Sequence, residues 1–521
     1  MPVTGDSEPA YRNPVLAADW PDPDVVKVGD DYYLIASSFN RVPGLPVLHS
    51  RNLVDWELLG HALQENHPTT AFRLPRHGRG VWASAIRHHD GLFHITYPDP
   101  DFGVFVVSAS DPAGPWSEPR LLLPGLGLID PCPFWDEDGT AWLIHGWAAS
   151  RSGTKNRLTL VPVDPGLTHP LGPGRTVVDA DLIPGFGTLE GPKLYRRGKY
   201  YWIFAPAGGV PTGWQSVFRA TDLAGPWEER TVLHQGDTDV NGPHQGAWVD
   251  GPDGREWFLH FQDAGAAGRI VHLEPLRWTE DDWPVIGAAD PGQTCGTPVA
   301  EHPAPGPRPR PASRVPGSGP GFGPLWRWQA NPQQDWSEGR PDRLRLRAVA
   351  DDHGNLRSLP HVLGVPLPGI AATFETTVRL DPGRAGVRPG TRAGVVVLGR
   401  DYQWAGLRVD DSGNLEAVVA RRRRDQYDEE VLQRAPVGDG PVRVRAEIDA
   451  RQDVVLSVHP AGTGPVTGPA EPAAAGHWVG AELAVFAATP AGEPGDGAAE
   501  FTGARLAITE DVTEDVSGDQ P

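Results

Sequence analysis

The chain has 521 residues, too many for one ordinary hydrophobic core, so its length predicts two or three domains. Its formal net charge of -21, with RRRR at 421–424 as the only basic run, argues against binding to nucleic acid or to an anionic membrane surface, because both need a basic patch. The 63 glycines and 56 prolines, with 19 tryptophans spread along the chain, favour an all-β protein of short strands and many turns over disorder.

The N-terminal segment MPVTGDSEPA has neither the basic nor the apolar region of a secretory signal. No uninterrupted apolar run in the chain approaches the length that spans a membrane. Cys132 and Cys295 are the only cysteines, too few for a disulfide scaffold and unlike a zinc site. These features predict a cytoplasmic enzyme with no membrane partner.

Five segments of the first half repeat one pattern, a glycine-containing polar turn followed by an aromatic-rich strand. They are GDDYYLIASS from Gly29, DGLFHITY at Gly91, DGTAWLIHG at Gly139, RGKYYWIFAP at Gly198 and DGREWFLHF at Gly254. Such turns between apolar runs are typical of β-hairpins. Units this small cannot bury their own faces, so the repeat predicts a five-bladed β-propeller of four-stranded blades, which we place at residues 1–296.

A second set of equivalent positions, called the register below, lies seven to ten residues before the repeated glycines. It contains Asp22 in WPDPD, Trp82 in VWASAIR, Asp130 in LIDPCPFW, Glu190 in LEGPKLY and His244 in PHQGAWV. The first strand of each propeller blade lines the central channel, so equivalent positions meet at one channel end. Taken singly, these residues have structural explanations as turn acids before proline, a loop acid, a core aromatic and a buried histidine. Together they predict one pocket.

Acids that converge in an aromatic-walled pocket suit glycosidic bond cleavage. One carboxylic acid protonates the leaving oxygen, and one carboxylate activates water or attacks the anomeric carbon. A third acid can orient and tune the first. No glycine-rich phosphate loop or metalloprotease motif offers a competing chemistry.

The segments NPVLAADWPDPDVVKVGDDYYLIASSF, LIDPCPFWDEDG, EGPKLYRRGKYYWIFA and NGPHQGAWVD closely resemble glycoside hydrolase family 43. The resemblance covers most of residues 11–288 and implies an inverting mechanism. By that resemblance Asp22 is the general base, Asp130 the residue that orients and tunes the acid, and Glu190 the general acid. It also assigns four residues to substrate binding, namely Trp82, Arg269, Phe39 and His244. No cofactor is required, although a calcium ion bound through water near His244 is compatible with the family.

Two positions depart from many family members. Ser84 stands where proline is common, a change that we expect to be tolerated because it alters a turn. Asp24 stands where serine is common, and we expect no catalytic role for it.

The second half begins with TPVAEHPAPGPRPRPASRVPGSGPGFGP, residues 297–324, which predicts an extended and semi-rigid linker. Strand-length apolar or alternating runs follow over residues 325–509, among them AATFETTVRL and AGVVVLGRDYQWAGLRV, and predict a two-sheet β-sandwich. PLWRWQANPQQDW and LPHVLGVPLPG resemble the concanavalin A-like jelly roll appended to many β-xylosidases of the family. Residues 510–521 have the composition of a disordered acidic tail.

The predicted function is therefore an exo-acting β-D-xylosidase that releases xylose from the non-reducing ends of xylo-oligosaccharides. An α-L-arabinofuranosidase acting on arabinoxylan or arabinan fragments is the first alternative, because the three acids cannot separate the two sugars. A non-catalytic carbohydrate-binding propeller is the second, although a lectin has no need of three acids in one register. The oligomeric state is left open by the sequence.

Overall fold

The computed structural model describes residues 9–306, 313–381, 388–492 and 497–509. Within these ranges almost all regular structure is β. The only α-helix there is the single turn Ala149–Ser152, and the 3-10 helices are Thr69–Phe72, Ala180–Leu182, Gly265–Ala267 and Leu356–Ser358. No helix in the described part of the chain has the length and apolarity needed to cross a bilayer.

Five antiparallel four-stranded sheets follow one another along the first half of the chain. In order, their strands are Asp24–Val28, Asp31–Ile35, Gly44–Ser50 and Glu57–Leu63; Ala85–His89, Leu92–Asp99, Gly103–Ala109 and Arg120–Pro124; Leu128–Trp135, Ala141–Trp147, Arg157–Val163 and Arg175–Asp179; Lys193–Arg197, Tyr200–Ala207, Trp214–Ala220 and Glu228–Leu233; His244–Asp250, Glu256–Asp263, Arg269–Trp278 and Pro284–Ile286. These sheets are the blades of the propeller, numbered 1 to 5 below.

The turn that opens blade 2 shows why the repeated glycine marks each hairpin. Asp90 and Gly91 form a two-residue loop between adjacent strands, and their φ angles are 49° and 75°. Two consecutive positive φ values define the hairpin turn that matches strand twist, and Asp-Gly is a favoured sequence for it. The repeated motif therefore specifies the inner hairpin of a blade.

The ring closes through the N-terminal segment. The first strands of blades 1 to 4 contact one another in succession, and the first strand of blade 5 contacts that of blade 1. Asn13 exchanges hydrogen bonds with the backbone N–H and carbonyl of Leu273 in blade 5, both at 2.9 Å. Strand Ala10–Arg12 also pairs with Glu301–Pro303. Residues before blade 1 are thus bound to blade 5, which holds the two ends of the ring together.

The second half forms two packed sheets. One contains Ser337–Arg340, Arg343–Arg347, Ala498–Ile508, Ala372–Asp381, Val442–Ile448, Asp453–His459 and Val466–Thr467, with Gly319–Pro320 and Glu471–Pro472 added at its side; the other contains Arg327–Trp328, Leu363–Pro366, Glu482–Pro490, Arg392–Leu398, Tyr402–Val409, Leu415–Arg422 and Glu430–Pro436, with Val349–Asp351. Alternate residues of Ala372–Asp381, such as Phe374 and Val378, are fully buried. This period of two is what a half-buried strand requires. The five-bladed propeller and the sandwich predicted from the sequence are both confirmed.

Part of the segment predicted as a linker, and the predicted acidic tail, lie outside the described residues. The described part of 297–324 contains Glu301–Pro303, which pairs with the N-terminal strand, and Gly319–Pro320, which pairs with Ala498–Ile508. Residues 307–312 and 510–521 are not described. The segment between propeller and sandwich is therefore attached to both bodies by strand pairing.

A loop of blade 1 packs against the sandwich. Val42 and Trp328 exchange backbone hydrogen bonds of 3.1 and 2.6 Å, and the Asn40 side chain donates to the carbonyl of Gln329 at 2.7 Å. Arg41 forms an ion pair with Glu482, and both side chains are almost fully buried. Burial lowers the pKa of Arg327, and the negative charge of Glu482 opposes that effect. Glu482 therefore compensates two buried guanidinium groups at the interface.

Replacing Glu482 with Gln should destabilise the protein strongly. The substitution removes the ion-pair partner of Arg41 and leaves Asp19 as the remaining negative charge that acts on Arg41 and Arg327, which should lower the free energy of unfolding by about 3–5 kcal/mol. Urea unfolding followed by tryptophan fluorescence measures the effect. Arg343→Gln is the matched control, because the Arg343 and Glu500 pair is exposed and should leave the urea midpoint unchanged. A Glu482→Gln midpoint equal to that of the control would contradict the assigned role.

Candidate active site

One cavity of about 240 Å³ lies at the end of the propeller channel where the first strands of the blades begin. All seven predicted site residues line it, namely Asp22, Phe39, Trp82, Asp130, Glu190, His244 and Arg269. They come from all five blades. The register found in the sequence therefore corresponds to one place in the structure.

The backbone at two of the acids adopts an uncommon conformation. Asp22 and Asp130 have φ values of 56° and 55°, and each precedes a proline. Non-glycine residues rarely occupy this left-handed region, and aspartate is among those that tolerate it best. Such strain persists where the surrounding structure enforces it, and it concentrates at functional sites. The Pro-Asp-Pro and Asp-Pro motifs thus place both carboxyl groups at the cavity at some cost in backbone energy.

Two donors hold the Asp22 carboxylate. Ser37 Oγ donates to Oδ2 at 2.5 Å, and Arg269 Nη1 donates to Oδ1 at 2.6 Å. Arg269 is itself held, because its guanidinium lies 4.7 Å from the centre of the Phe261 ring. One contact to each oxygen fixes the orientation of the carboxylate and leaves lone pairs free for a water molecule. This is the arrangement that a general base needs.

Asp130 is buried and lies beside Glu190, whose side chain is partly exposed. Asp130 Oδ2 accepts the backbone N–H of Gly191, the residue after Glu190, at 2.7 Å. Burial raises the pKa of Asp130, and the negative charges of Glu190 and Asp22 raise it further. Asp130 therefore holds the backbone beside Glu190, and the charge of Glu190 in turn acts on Asp130.

Glu190 is the most accessible of the three acids. Its side chain is 24% exposed, compared with 5% for Asp22, so it can reach the oxygen of a departing group at the cavity mouth. His244 Nε2 lies 2.8 Å from Glu190 Oε1, and the imidazole is fully buried. His244 thus fixes the position of the Glu190 carboxyl from inside the channel.

Replacing Asp130 with Asn should move the pH dependence of kcat. Two interacting carboxyl groups titrate as a pair, and each negative charge makes the other group hold its proton to a higher pH. The neutral amide removes from this pair the Asp130 carboxyl, whose pKa burial and the charges of Glu190 and Asp22 raise to about 8. The alkaline limb of the kcat profile, recorded from about pH 4 to about pH 9, should shift to lower pH by about one unit. An unchanged alkaline limb would show that Asp130 does not tune the acid.

Aromatic side chains form the walls of the cavity. The Trp82 indole donates to the carbonyl of Gly78 at 3.1 Å, and the Arg151 guanidinium lies 5.1 Å from the centre of its ring. Phe39 lies beside Trp82, with ring centres 6.3 Å apart. Aromatic faces of this kind stack on the apolar faces of sugar rings. Phe39 also precedes the loop that packs on the sandwich, so the sandwich supports this wall.

Other residues at the cavity were not anticipated from the sequence. They are Trp147, Ser150, Lys155, Asn156, Thr188, Gln245 and Trp478, with several small apolar residues. Trp147 ends the second strand of blade 3, so the repeat itself could have located it. Trp478 comes from the sandwich, and no pattern in the sequence relates it to the propeller. It is 50% exposed and lies at the cavity mouth.

The sandwich also contacts the segment that carries Arg269. Asp19 accepts two backbone N–H groups, from Arg269 at 2.8 Å and from Gly480 at 3.1 Å. A side chain at Gly268 would overlap the Asp19 carboxylate, which explains glycine at that position. Burial raises the pKa of Asp19 to about 6. One buried carboxyl therefore links the sandwich loop to the arginine that holds Asp22.

Asp24 has a structural role outside the catalytic set. Its Oδ2 accepts the backbone N–H of Ile86 and the Arg87 guanidinium, both at 2.7 Å. Asp24 is fully buried and joins the first strands of blades 1 and 2. These contacts are structural, and the absence of a catalytic role for Asp24 stays a prediction.

The residues around His244 suit a directly bound calcium ion poorly. Calcium prefers six to eight oxygen ligands, whereas the imidazole offers nitrogen and its Nε2 is engaged by Glu190. Among the described residues, no group of three or more histidine, cysteine, aspartate or glutamate side chains is arranged to hold a metal. We therefore derive no catalytic step through a metal.

Several known proteins are similar to this chain in sequence. The chain is 38% identical over 377 residues to a protein of Xylanibacter ruminicola, covering 71% of this chain and 68% of that one. It is 29% identical over 463 residues to a beta-xylosidase of Formosa agariphila, covering 77% and 75%. It is also 31% identical over 306 residues to a non-reducing end alpha-L-arabinofuranosidase of Bacteroides ovatus, covering 54% of each chain.

The fold has close counterparts among solved structures. A xylan beta-1,4-xylosidase of Bacillus halodurans superimposes with a TM-score of 0.82 at 23% identity, over 95% of this chain and 99% of the other. The family model described as Beta xylosidase C-terminal Concanavalin A-like domain matches residues 318–506. The model described as Glycosyl hydrolases family 43 matches residues 11–284, more than half of the chain. The protein therefore belongs to glycosyl hydrolases family 43.

Proposed function

We propose that the protein is an exo-acting, inverting β-D-xylosidase that removes xylose from the non-reducing ends of xylo-oligosaccharides. The observation that carries this proposal is the set of three carboxyl groups around one small aromatic-walled cavity, with different partners for each. Membership of the family and the beta-xylosidase of Formosa agariphila support the choice of reaction and sugar.

The reaction follows from the contacts of the acids. Asp22, oriented by Ser37 and Arg269, takes a proton from a water molecule that attacks the anomeric carbon. Glu190 donates its proton to the leaving oxygen as the glycosidic bond breaks. Asp130 holds the backbone beside Glu190 in place. Because water attacks from the face opposite the leaving group, the configuration at that carbon inverts.

The shape of the cavity supports cleavage at chain ends. Its volume of about 240 Å³ is below the roughly 300–1,000 Å³ typical of sites for drug-sized ligands, so it suits a single sugar unit. Trp478 narrows the mouth from the sandwich side. A long unbroken chain could not pass through such a pocket, whereas a terminal sugar could enter it.

We propose hydrolysis without a required metal, since the acid, the base and water suffice for the chemistry. Any calcium near His244 would be bound through water and would affect structure or charge. Dialysis against a chelator should therefore leave kcat on a nitrophenyl β-xyloside unchanged, and complete loss restored by calcium would reject the proposal.

α-L-Arabinofuranosidase activity is the second candidate, favoured by the similarity to the enzyme of Bacteroides ovatus. Parallel assays with nitrophenyl β-D-xyloside and nitrophenyl α-L-arabinofuranoside distinguish the two. We expect the larger kcat/KM with the xyloside, and the reverse order would exchange the assignments.

The stereochemistry of the product provides an independent prediction. Proton NMR of the first sugar released from a β-xyloside should show α-xylose, because the base-activated water attacks from the opposite face. Spectra must be recorded before mutarotation equilibrates the anomers. Initial release of β-xylose would rule out Asp22 as the base of an inverting reaction.

A further inference from the structure

A second cavity, of about 440 Å³, adjoins the catalytic one. It lies between blade 5 and the sandwich, and it shares Arg269 and Trp478 with the catalytic cavity. Any substrate that extends from the pocket past Trp478 therefore has this cavity beside it.

Two unpaired arginines line this second cavity. Arg400 and Arg424 are exposed, and within the described residues neither forms an ion pair. Their neighbours in the basic run differ in this respect, because Arg421 and Arg423 both pair with Glu471. Arg422 donates to the carbonyl of Tyr427 instead, and Arg424 is the member of the run that lines the cavity with Arg400.

The two acids at this cavity are engaged with backbone groups. Asp401 Oδ1 accepts the N–H of Arg424 at 2.8 Å, and Asp263 Oδ1 accepts the N–H of Gly265 at 3.1 Å. Both carboxylates thereby stabilise the loops that form the cavity. Neither lies within ion-pair distance of a guanidinium in the described structure.

Further positive charge lies next to the cavity. Arg357 Nη1 donates to the carbonyl of Arg400 at 3.5 Å. Burial lowers the pKa of Arg357, the charges of Arg400 and Arg422 lower it further, and the charge of Asp401 opposes these effects. Asp263 and Asp401 bring negative charge to the cavity but bind backbone N–H groups, so the guanidinium groups of Arg400 and Arg424 stay free to bind an anionic ligand.

We propose that Arg400 and Arg424 bind the carboxylate of a uronic acid branch, carried by the part of the xylo-oligosaccharide that lies outside the catalytic pocket. The guanidinium fork matches a carboxylate through two parallel hydrogen bonds, whereas a neutral sugar branch has no use for unpaired cations. This inference rests on the proposed xylosidase function. It makes the enzyme selective for acidic xylan fragments rather than merely tolerant of them.

The test compares two substrates that differ only in the carboxyl group. One is xylotriose with a glucuronic acid branch on its middle xylose, and the other has that branch reduced to glucose. For each enzyme form, kcat/KM of the acidic substrate is divided by that of the reduced one. The Arg400→Gln, Arg424→Gln double variant should lower this ratio about tenfold, as expected for loss of a charge-assisted contact at an exposed site. Arg423→Gln, which removes a charge from the same run but outside the cavity, should leave the ratio unchanged.

Each possible result supports or rejects the proposed uronic acid site or the xylosidase assignment. Equal ratios for the wild type and the double variant would overturn it. If the wild type binds inorganic phosphate but has equal kcat/KM for the acidic and the reduced substrate, the cavity is a site for free anions, and the uronic acid proposal is rejected. Failure of the wild type to hydrolyse either substrate and plain xylotriose would reject the xylosidase assignment instead. Calorimetry would then measure the affinity of the two branched sugars for the Glu190→Gln variant and for the same variant that also carries Arg400→Gln and Arg424→Gln. This comparison tests the carboxylate contact without hydrolysis.

Discussion

Replacing Asp22 with Asn is expected to lower kcat by about 10³- to 10⁴-fold on every substrate, whatever its leaving group. The amide keeps the shape of the side chain and tolerates the φ of 56°, so the loss reports on chemistry rather than on folding. The variant cannot accept a proton from water, because its amide keeps one acceptor oxygen, which Arg269 or Ser37 engages, and its nitrogen has no basic lone pair. Steady-state rates on xylobiose and on nitrophenyl β-xyloside measure the effect.

Ser37→Ala is the graded control for this experiment. It removes one donor to Asp22 and leaves the carboxylate in place, so kcat should fall by only about tenfold. Circular dichroism should show the wild-type fold in both variants. An Asp22→Asn enzyme that retains a tenth of wild-type activity would exclude Asp22 as the base.

Replacing Glu190 with Gln should separate substrates by their leaving groups. The leaving group of xylobiose is a sugar alcohol of low acidity, which needs the proton from Glu190, so kcat on xylobiose should fall about 10³-fold. The leaving group of a dinitrophenyl β-xyloside is a stable phenolate that needs no proton, so kcat on this substrate should fall less than about tenfold. Equal losses on both substrates would contradict the role of general acid. Asp22→Asn provides the matched comparison, since it should slow both substrates alike.

The propeller was accessible from the sequence because each inner hairpin contains a glycine with a positive φ, between 59° and 84°. The Asp90 and Gly91 turn needs two positive φ values, so its residues are strongly constrained and recognisable. The same register places one residue per blade at one channel end, and Asp22, Asp130 and Glu190 do line a common cavity. Their catalytic roles stay a prediction until the variants are measured.

Of the partners of the acids, His244 belongs to this register, whereas several others do not. Ser37 lies outside the repeated register, and Asp19 acts only because the chain closes blade 5 against blade 1 and brings it to Arg269. Trp478 reaches the cavity from a different domain, through contacts that depend on how two bodies pack. Packing between distant segments leaves no periodic trace in the sequence, which is why these residues escaped prediction.

The strand order of the sandwich has a consequence for biosynthesis. Strand Ala498–Ile508 lies between Arg343–Arg347 and Ala372–Asp381, so the centre of one sheet is filled by the last described strand to leave the ribosome. A nascent chain that ends before this strand has exposed sheet edges on both sides of the gap, and such edges attract other chains. The loop with Trp478 and Gly480 is also synthesised late, after every propeller blade. Hydrolytic competence should therefore arise only after Ala498–Ile508 has been synthesised, and chains interrupted before this strand should be recognised by chaperones through an open sandwich.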